Sequence, residues 1–159
     1  MLKIMVKKWD ENKSNLEKKL STMKMNYQYD DLVKLTFKTI FNNGADASFC
    51  SYFELDLDRM TKINNGSYSG TLLYIIPFAT YEPDEGEYIM TYVNYGSCCG
   101  CDTLERIKMF NDEDDIPNEK QLADLMMLCK DIITNTIKPY NKGYNYREDF
   151  EEITEKENG

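Results

Sequence analysis

Apolar residues recur at Leu16, Leu20 and Met23 behind Asp10, a residue type that suits a helix N-cap. This spacing predicts a helix from Asp10 to about Met25, with Trp9 just before the cap and placed to staple the helix to the core. A second helix is predicted from Asp30, with Val33, Phe37, Ile40 and Phe41 on one face and the glycine of "NNG" (42–44) as its stop. The period then changes. Over 48–58, "SFCSYFELDLD", Phe53, Leu55 and Leu57 alternate with Glu54, Asp56 and Asp58, which predicts a half-buried strand. "NNGSYSG" (64–70) reads as a turn, and the apolar run "TLLYIIPFA" (71–79) as a central strand with Pro77 fixing its end. "YEPDEGE" turns the chain again, and "YIMTYVNYG" (88–96) predicts a third strand.

A short helix is expected from Asp102, where "DTLE" offers an Asp cap with Glu105 returning the bond. After the acidic loop "NDEDDIPNE" (111–119) comes the clearest helical stripe, Leu122, Leu125, Met126, Cys129, Ile132, Ile133 and Ile137, stopped by Pro139. Short connections between the strand runs imply an antiparallel meander. The expected fold class is α+β, a three-stranded or slightly larger antiparallel sheet with helices packed on one face. Residues 1–139 read as a single domain and 140–159 as an acidic, mobile C-terminal tail, in which Tyr140, Tyr144 and Tyr146 are candidate interface anchors.

Composition narrows the function classes. The 159 residues suffice for one domain with a sizeable core. No apolar run approaches the ~20 residues needed to span a bilayer. The start, "MLKIMVKKWDENK", lacks the pattern of a secretory signal, so the five cysteines read as reduced thiols in a cytoplasm. Histidine is absent, which removes Ser-His and Cys-His triads together with the commonest metal ligand. Charge is uneven: residues 1–40 carry nine Lys against five Asp/Glu, net +4, and the remainder carries ten basic against twenty-three acidic residues, net −13. That balance argues against direct nucleic-acid binding and favours a basic partner, though charge also serves solubility.

Three of the five cysteines crowd into "YGSCCGCD" (95–102), between the last strand and the short helix. Tyr95, Gly96, Ser97, Cys98, Gly100, Cys101 and Asp102 are therefore candidate site residues. Cys98 and Cys101 form a C-x-x-C pair at a helix start, where a thiol pKa is lowered, but the Asp102 carboxylate opposes thiolate formation. The pair also supplies two zinc ligands, with Cys50 and Cys129 as the next candidates, although both read as core thiols. An anion cradle lacks the Lys-Ser/Thr of a P-loop. The leading reading of the loop is architectural: small side chains that let a strand-to-helix corner pack closely.

The segments "YSGTLLYIIPFATYEPDEGEYIMTYVNYGSCCGCDTLERI" and "LMMLCKDIITNTIKPYN" resemble a family of small uncharacterised phage and prophage proteins. That family's pattern has a Tyr-Gln-Gly-Thr-Leu-Leu strand, a Tyr-Gly-Ser-Cys-Ser-Gly-Cys-Asp-Thr-Leu loop and a late helix ending in Lys-Pro-Tyr. The resemblance spans residues 67–141. Cys99 stands where the pattern has Ser, which makes Cys98 and Cys101 the pattern-bearing pair. The resemblance implies a phage context and action in the cytoplasm of an infected or lysogenic bacterial cell.

Carboxylates supply the remaining candidates. Glu54, Asp56 and Asp58 on one strand face suit either a solvated surface or an oxygen site for Mg²⁺ or Ca²⁺. "DEDD" (Asp112, Glu113, Asp114, Asp115) lacks the glycine and terminal Glu of an EF-hand and reads as a solvated or partner-facing loop. The expected function is that of an acidic accessory protein without a cofactor. It would dock these seven carboxylates on the basic surface of a host or defence protein, as an inhibitor of a nucleic-acid-handling or immune complex, and would not turn over a substrate. The alternative is a thiol- or zinc-dependent protein centred on Cys98 and Cys101.

Overall fold

The computed structural model describes residues 3–42, 54–84, 86–112 and 114–137. The strand reading over 48–53, Cys50, Glu113, the Pro139 stop and the tail with its three tyrosines lie outside the described residues. Four helices, α1 (Lys3–Thr22), α2 (Tyr29–Ile40), α3 (Thr103–Lys108) and α4 (Glu119–Thr134), accompany three strands, β1 (Thr61–Gly66), β2 (Gly70–Pro77) and β3 (Tyr88–Tyr95). The strands form an open antiparallel sheet in the order β1-β2-β3. The α+β class holds. Among the described residues no helix is long and apolar enough to cross a membrane.

β2 and β3 fall where the sequence predicts strands, and burial alternates along both. Leu72, Tyr74 and Ile76 oppose Val93, Thr91 and Ile89, and this row is buried. Helices cover it: Tyr74 Oη donates to Asp30 on α2 at 2.6 Å, and Thr91 Oγ1 donates to the Ile132 carbonyl on α4 at 2.6 Å. Phe37, Ile40, Leu125 and Ile132 are fully buried between these layers. Each such side chain contributes about 1.5–3 kcal/mol relative to exposure.

Four expectations are corrected. α1 starts at Lys3, not Asp10, because its buried stripe runs Met5, Trp9, Asn12, Leu16, Leu20; Trp9 is a core residue inside the helix, and Asp10 projects into solvent. Residues 54–58 make no strand. Leu55 forms an isolated bridge to Phe78, and Leu57–Arg59 is a 3-10 turn capped by the Asp56 side chain. The first strand is instead β1, so that only Ser67–Ser69 remain of the supposed turn 64–70. All six β1 residues are exposed, so no apolar alternation marks this edge strand. Finally, α4 ends at Thr134; Ile137 lies beyond it and pairs in both directions with the backbone of Met90.

One polar cluster ties the sheet edge to α2. Lys62 Nζ on β1 lies 2.8 Å from Asp30 Oδ2, while Tyr74 Oη occupies Oδ1. Burial alone would raise the Asp30 carboxyl, but the hydrogen bonds from Lys62 and Tyr74 outweigh it and hold the group below 3.8. A depressed carboxyl stabilises the fold above its unfolded pKa and loses that contribution as pH falls through the folded value. Tyr74→Phe is expected to cost about 1.5 kcal/mol at pH 7, the low end for a bond to a charged acceptor because Asp30 is partly solvated. Urea titrations of both chains should show this difference shrinking below about pH 4.

Candidate functional site

The cysteine loop is built on Gly96, where β3 ends. A Cβ there would stand 2.6 Å from the carbonyl carbon and oxygen of Cys101 and 2.7 Å from its Sγ, so only glycine lets the loop fold back so closely. The Cys98 carbonyl then accepts from the backbone N–H of Cys101 at 3.0 Å and of Asp102 at 2.8 Å.

Asp102 locks the far end. Its side chain is buried and uses both oxygens: Oδ1 accepts from Tyr29 Oη at 3.0 Å and from the Glu105 N–H at 2.9 Å, and Oδ2 accepts from the Gly96 N–H at 2.9 Å. It caps α3 as expected, but Glu105 contributes only its backbone, since the Asp102 N–H is already taken by Cys98. Tyr29 Oη also accepts from the Leu104 N–H at 3.1 Å. Burial pushes the Tyr29 hydroxyl up to about 12; the Leu104 contact works against this and the Asp102 carboxylate with it.

The thiols lie outside this lock, with Cys98, Cys99 and Cys101 all exposed. Cys98 Sγ and Cys101 Sγ are 3.0 Å apart. As a thiol, Cys101 can donate to the Cys98 carbonyl at 3.3 Å; as a thiolate, it accepts from the Cys98 N–H at 3.1 Å and from the Cys98 thiol. The Cys98 thiol, then Ser97 and the Cys98 N–H, lower the Cys101 pKa. The sequence argument that Asp102 opposes this thiolate weakens here, because the Asp102 carboxylate is inside the fold with three donors on it.

Cys129 is not brought to the pair. It is fully buried on α4, where burial pushes its thiol up to about 12 despite a hydrogen bond with Thr36. Among the described residues no three His, Cys, Asp or Glu side chains converge as a metal site. Zinc on Cys98 and Cys101 would need two further ligands, and Cys129 cannot supply one without opening the core.

Beside the loop lies a cavity of about 260 Å³, its wall including Gly96 and Asp102, the two ends of the loop. Tyr29, Leu72 and Leu104 contribute to its lining, as do Asn64, Tyr95 and Glu105. Tyr95 Oη donates to Asn64 Oδ1 at 2.7 Å. Asn64 and Tyr29 are site residues that the sequence reading missed. Asn64 lies in the segment taken for a turn, and Tyr29 meets Asp102 across 73 positions of chain.

The acidic candidates occupy separate parts of the fold. Glu54 and Asp58 are exposed, while Asp56 pairs with Arg59 at 2.6 Å, and that contact foremost holds its carboxyl below 3.8. Glu54 thus precedes the turn, Asp56 caps it and Asp58 lies within it, and the three do not share a strand face. Asp115 accepts from the Asp112 N–H at 3.1 Å, its carbonyl accepts from the Met25 N–H, and exposed Asp114 pairs with Lys24 at 3.1 Å. Exposed pairs of this kind contribute about 0–1 kcal/mol. No protein-family model, curated protein or solved structure matches the chain.

Proposed function

We propose that this protein works through thiol–disulfide exchange at Cys98 and Cys101. The observation that carries the reading is the exposed thiol pair 3.0 Å apart, with hydrogen-bond donors directed at Cys101. Disulfides in a reducing compartment are usually transient, catalytic or sensing ones, which suits a pair held close but unbonded. A low-pKa thiolate at Cys101 attacks one sulfur of a partner disulfide, breaking that S–S bond and releasing the other sulfur as a thiolate. Cys98 then attacks Cys101 Sγ, forms the Cys98–Cys101 disulfide and passes its proton to the second departing sulfur. The partner disulfide gains two electrons and the dithiol loses two; two equivalents of a monothiol restore it.

Mass spectrometry of the chain equilibrated with glutathione disulfide tests this. The expected product is an internal Cys98–Cys101 disulfide, found equally in Cys99→Ser, whereas Cys98→Ser stops at a glutathione adduct on Cys101. Adducts spread evenly over the exposed cysteines, with no internal bond, would end the proposal. Docking on a basic host-protein surface draws on the exposed Glu54, Asp58, Asp112 and Asp114, and it rests on charge alone because these side chains stand at two places in the fold.

A further inference from the structure

We infer that the cavity beside the thiol loop receives a lysine or arginine side chain of a polypeptide substrate, one or two residues from the disulfide cysteine that Cys101 attacks. This rests on the exchange reading above and names its substrate class.

Size comes first. At about 260 Å³ the cavity falls just below the range that holds drug-sized ligands, roughly 300–1,000 Å³, and fits one long side chain. Its lining is matched to a basic one. Leu72 and Leu104 offer apolar surface to a methylene stem, and the half-buried Tyr95 adds an aromatic residue to the wall. Neither lysine nor arginine lines the cavity, so every charge in its wall is negative. Of the two carboxylates there, Asp102 has three donors on it, whereas Glu105 is exposed and has no ion pair among the described residues. Glu105 is thus the group that selects for positive charge.

Placement follows from the loop. Gly96 and Asp102 bracket the thiols in sequence and share the cavity wall, so a side chain seated there lies near Cys98 and Cys101. A Cβ on the lining residue Gly96 would stand 2.7 Å from Cys101 Sγ, so wall and thiol lie within one or two residues of an extended substrate, which advances about 3.3–3.6 Å per residue. An amine on a small disulfide offers the same charge without the chain that spans cavity and thiol, and this separates the two sources.

The test compares symmetric disulfides of three short peptides that differ only in the residue beside cysteine, arginine, glutamine or glutamate, together with cystamine. Second-order rate constants for reduction by the intact chain are measured at fixed low salt. The arginine peptide is expected to react about fivefold faster than the glutamine peptide, the upper end for one solvent-exposed ion pair. Glu105→Gln should reduce that ratio to about twofold or less, while Glu17→Gln, an equal charge change on exposed α1 surface, should leave it intact. Equal rates for the three peptides, or a ratio lowered alike by both variants, would overturn the seat while leaving exchange standing. So would cystamine outpacing the arginine peptide. If no disulfide is reduced, glutathione disulfide included, the exchange reading itself has failed.

Discussion

Replacing Asp102 by alanine is expected to remove about 3 kcal/mol of stability, read as a lower urea midpoint with an unchanged slope. The carboxylate takes the Gly96 N–H, the Glu105 N–H and the Tyr29 hydroxyl, groups from three parts of the chain. Each donor left unpaired in the interior costs about 1–3 kcal/mol, and loss of a helix cap alone costs about 1. Water reaching the half-buried backbone groups offsets part of this, which sets the figure near the low end. A domain of this size holds about 5–15 kcal/mol in all, so the loss is a large fraction. Tyr29→Phe removes one of these three bonds and also the acceptor of the buried Leu104 N–H, and is expected to cost about 2 kcal/mol, with the double variant less than additive because the groups share one network. Glu105→Ala should change little, since its contribution to the cap is a backbone N–H. A midpoint for the Asp102 variant within experimental error of the parent would show that the buried network does not hold the loop.

Legibility followed burial. α2 and α4 put apolar side chains at periodic positions because one face of each meets the core, and the sequence carries that period directly, while β2 and β3 read as strands from their short, dense apolar runs between turn residues. β1 has no buried face, so nothing in Thr61–Gly66 alternates; backbone pairing with β2 and the close approach of Gly66 to Gly70 make it a strand. The opposite error arose at Glu54–Asp58, where alternation was real but Asp56 uses its carboxylate to cap a turn and hold Arg59. The candidate site divides in the same way. The crowded cysteines and the Asp102 cap are local signals and were readable. The full set of donors on the Asp102 carboxylate was not, because one of the three is Tyr29, 73 positions away. Sequence adjacency placed that charge against the thiol, whereas the fold places it against three donors.

Cys101 should be the most reactive thiol among the described cysteines at neutral pH, and iodoacetamide labelling resolved by peptide mass reads this directly. An ordinary thiol with a pKa near 8.5 is only about 3% thiolate at pH 7, so a lowered pKa can raise the reactive fraction by at most about thirtyfold. Nucleophilicity falls as the pKa falls, with a Brønsted slope of about 0.4–0.5, which leaves a net advantage over an ordinary thiol of about two- to fourfold. The sign is fixed by the donors. The Cys98 thiol, Ser97 and the Cys98 N–H favour the charged form of Cys101, so its labelling rate should rise at a lower pH than that of an ordinary thiol. Cys98→Ala deletes the largest of these contributions but keeps the backbone N–H, and should move the midpoint up without abolishing the reaction. Buried Cys129 supplies the internal contrast, since its raised pKa and lack of exposure keep it unlabelled until the fold opens. If Cys99 and Cys101 instead label at equal rates across the pH range, the loop is only a tight corner and its thiols carry no chemistry.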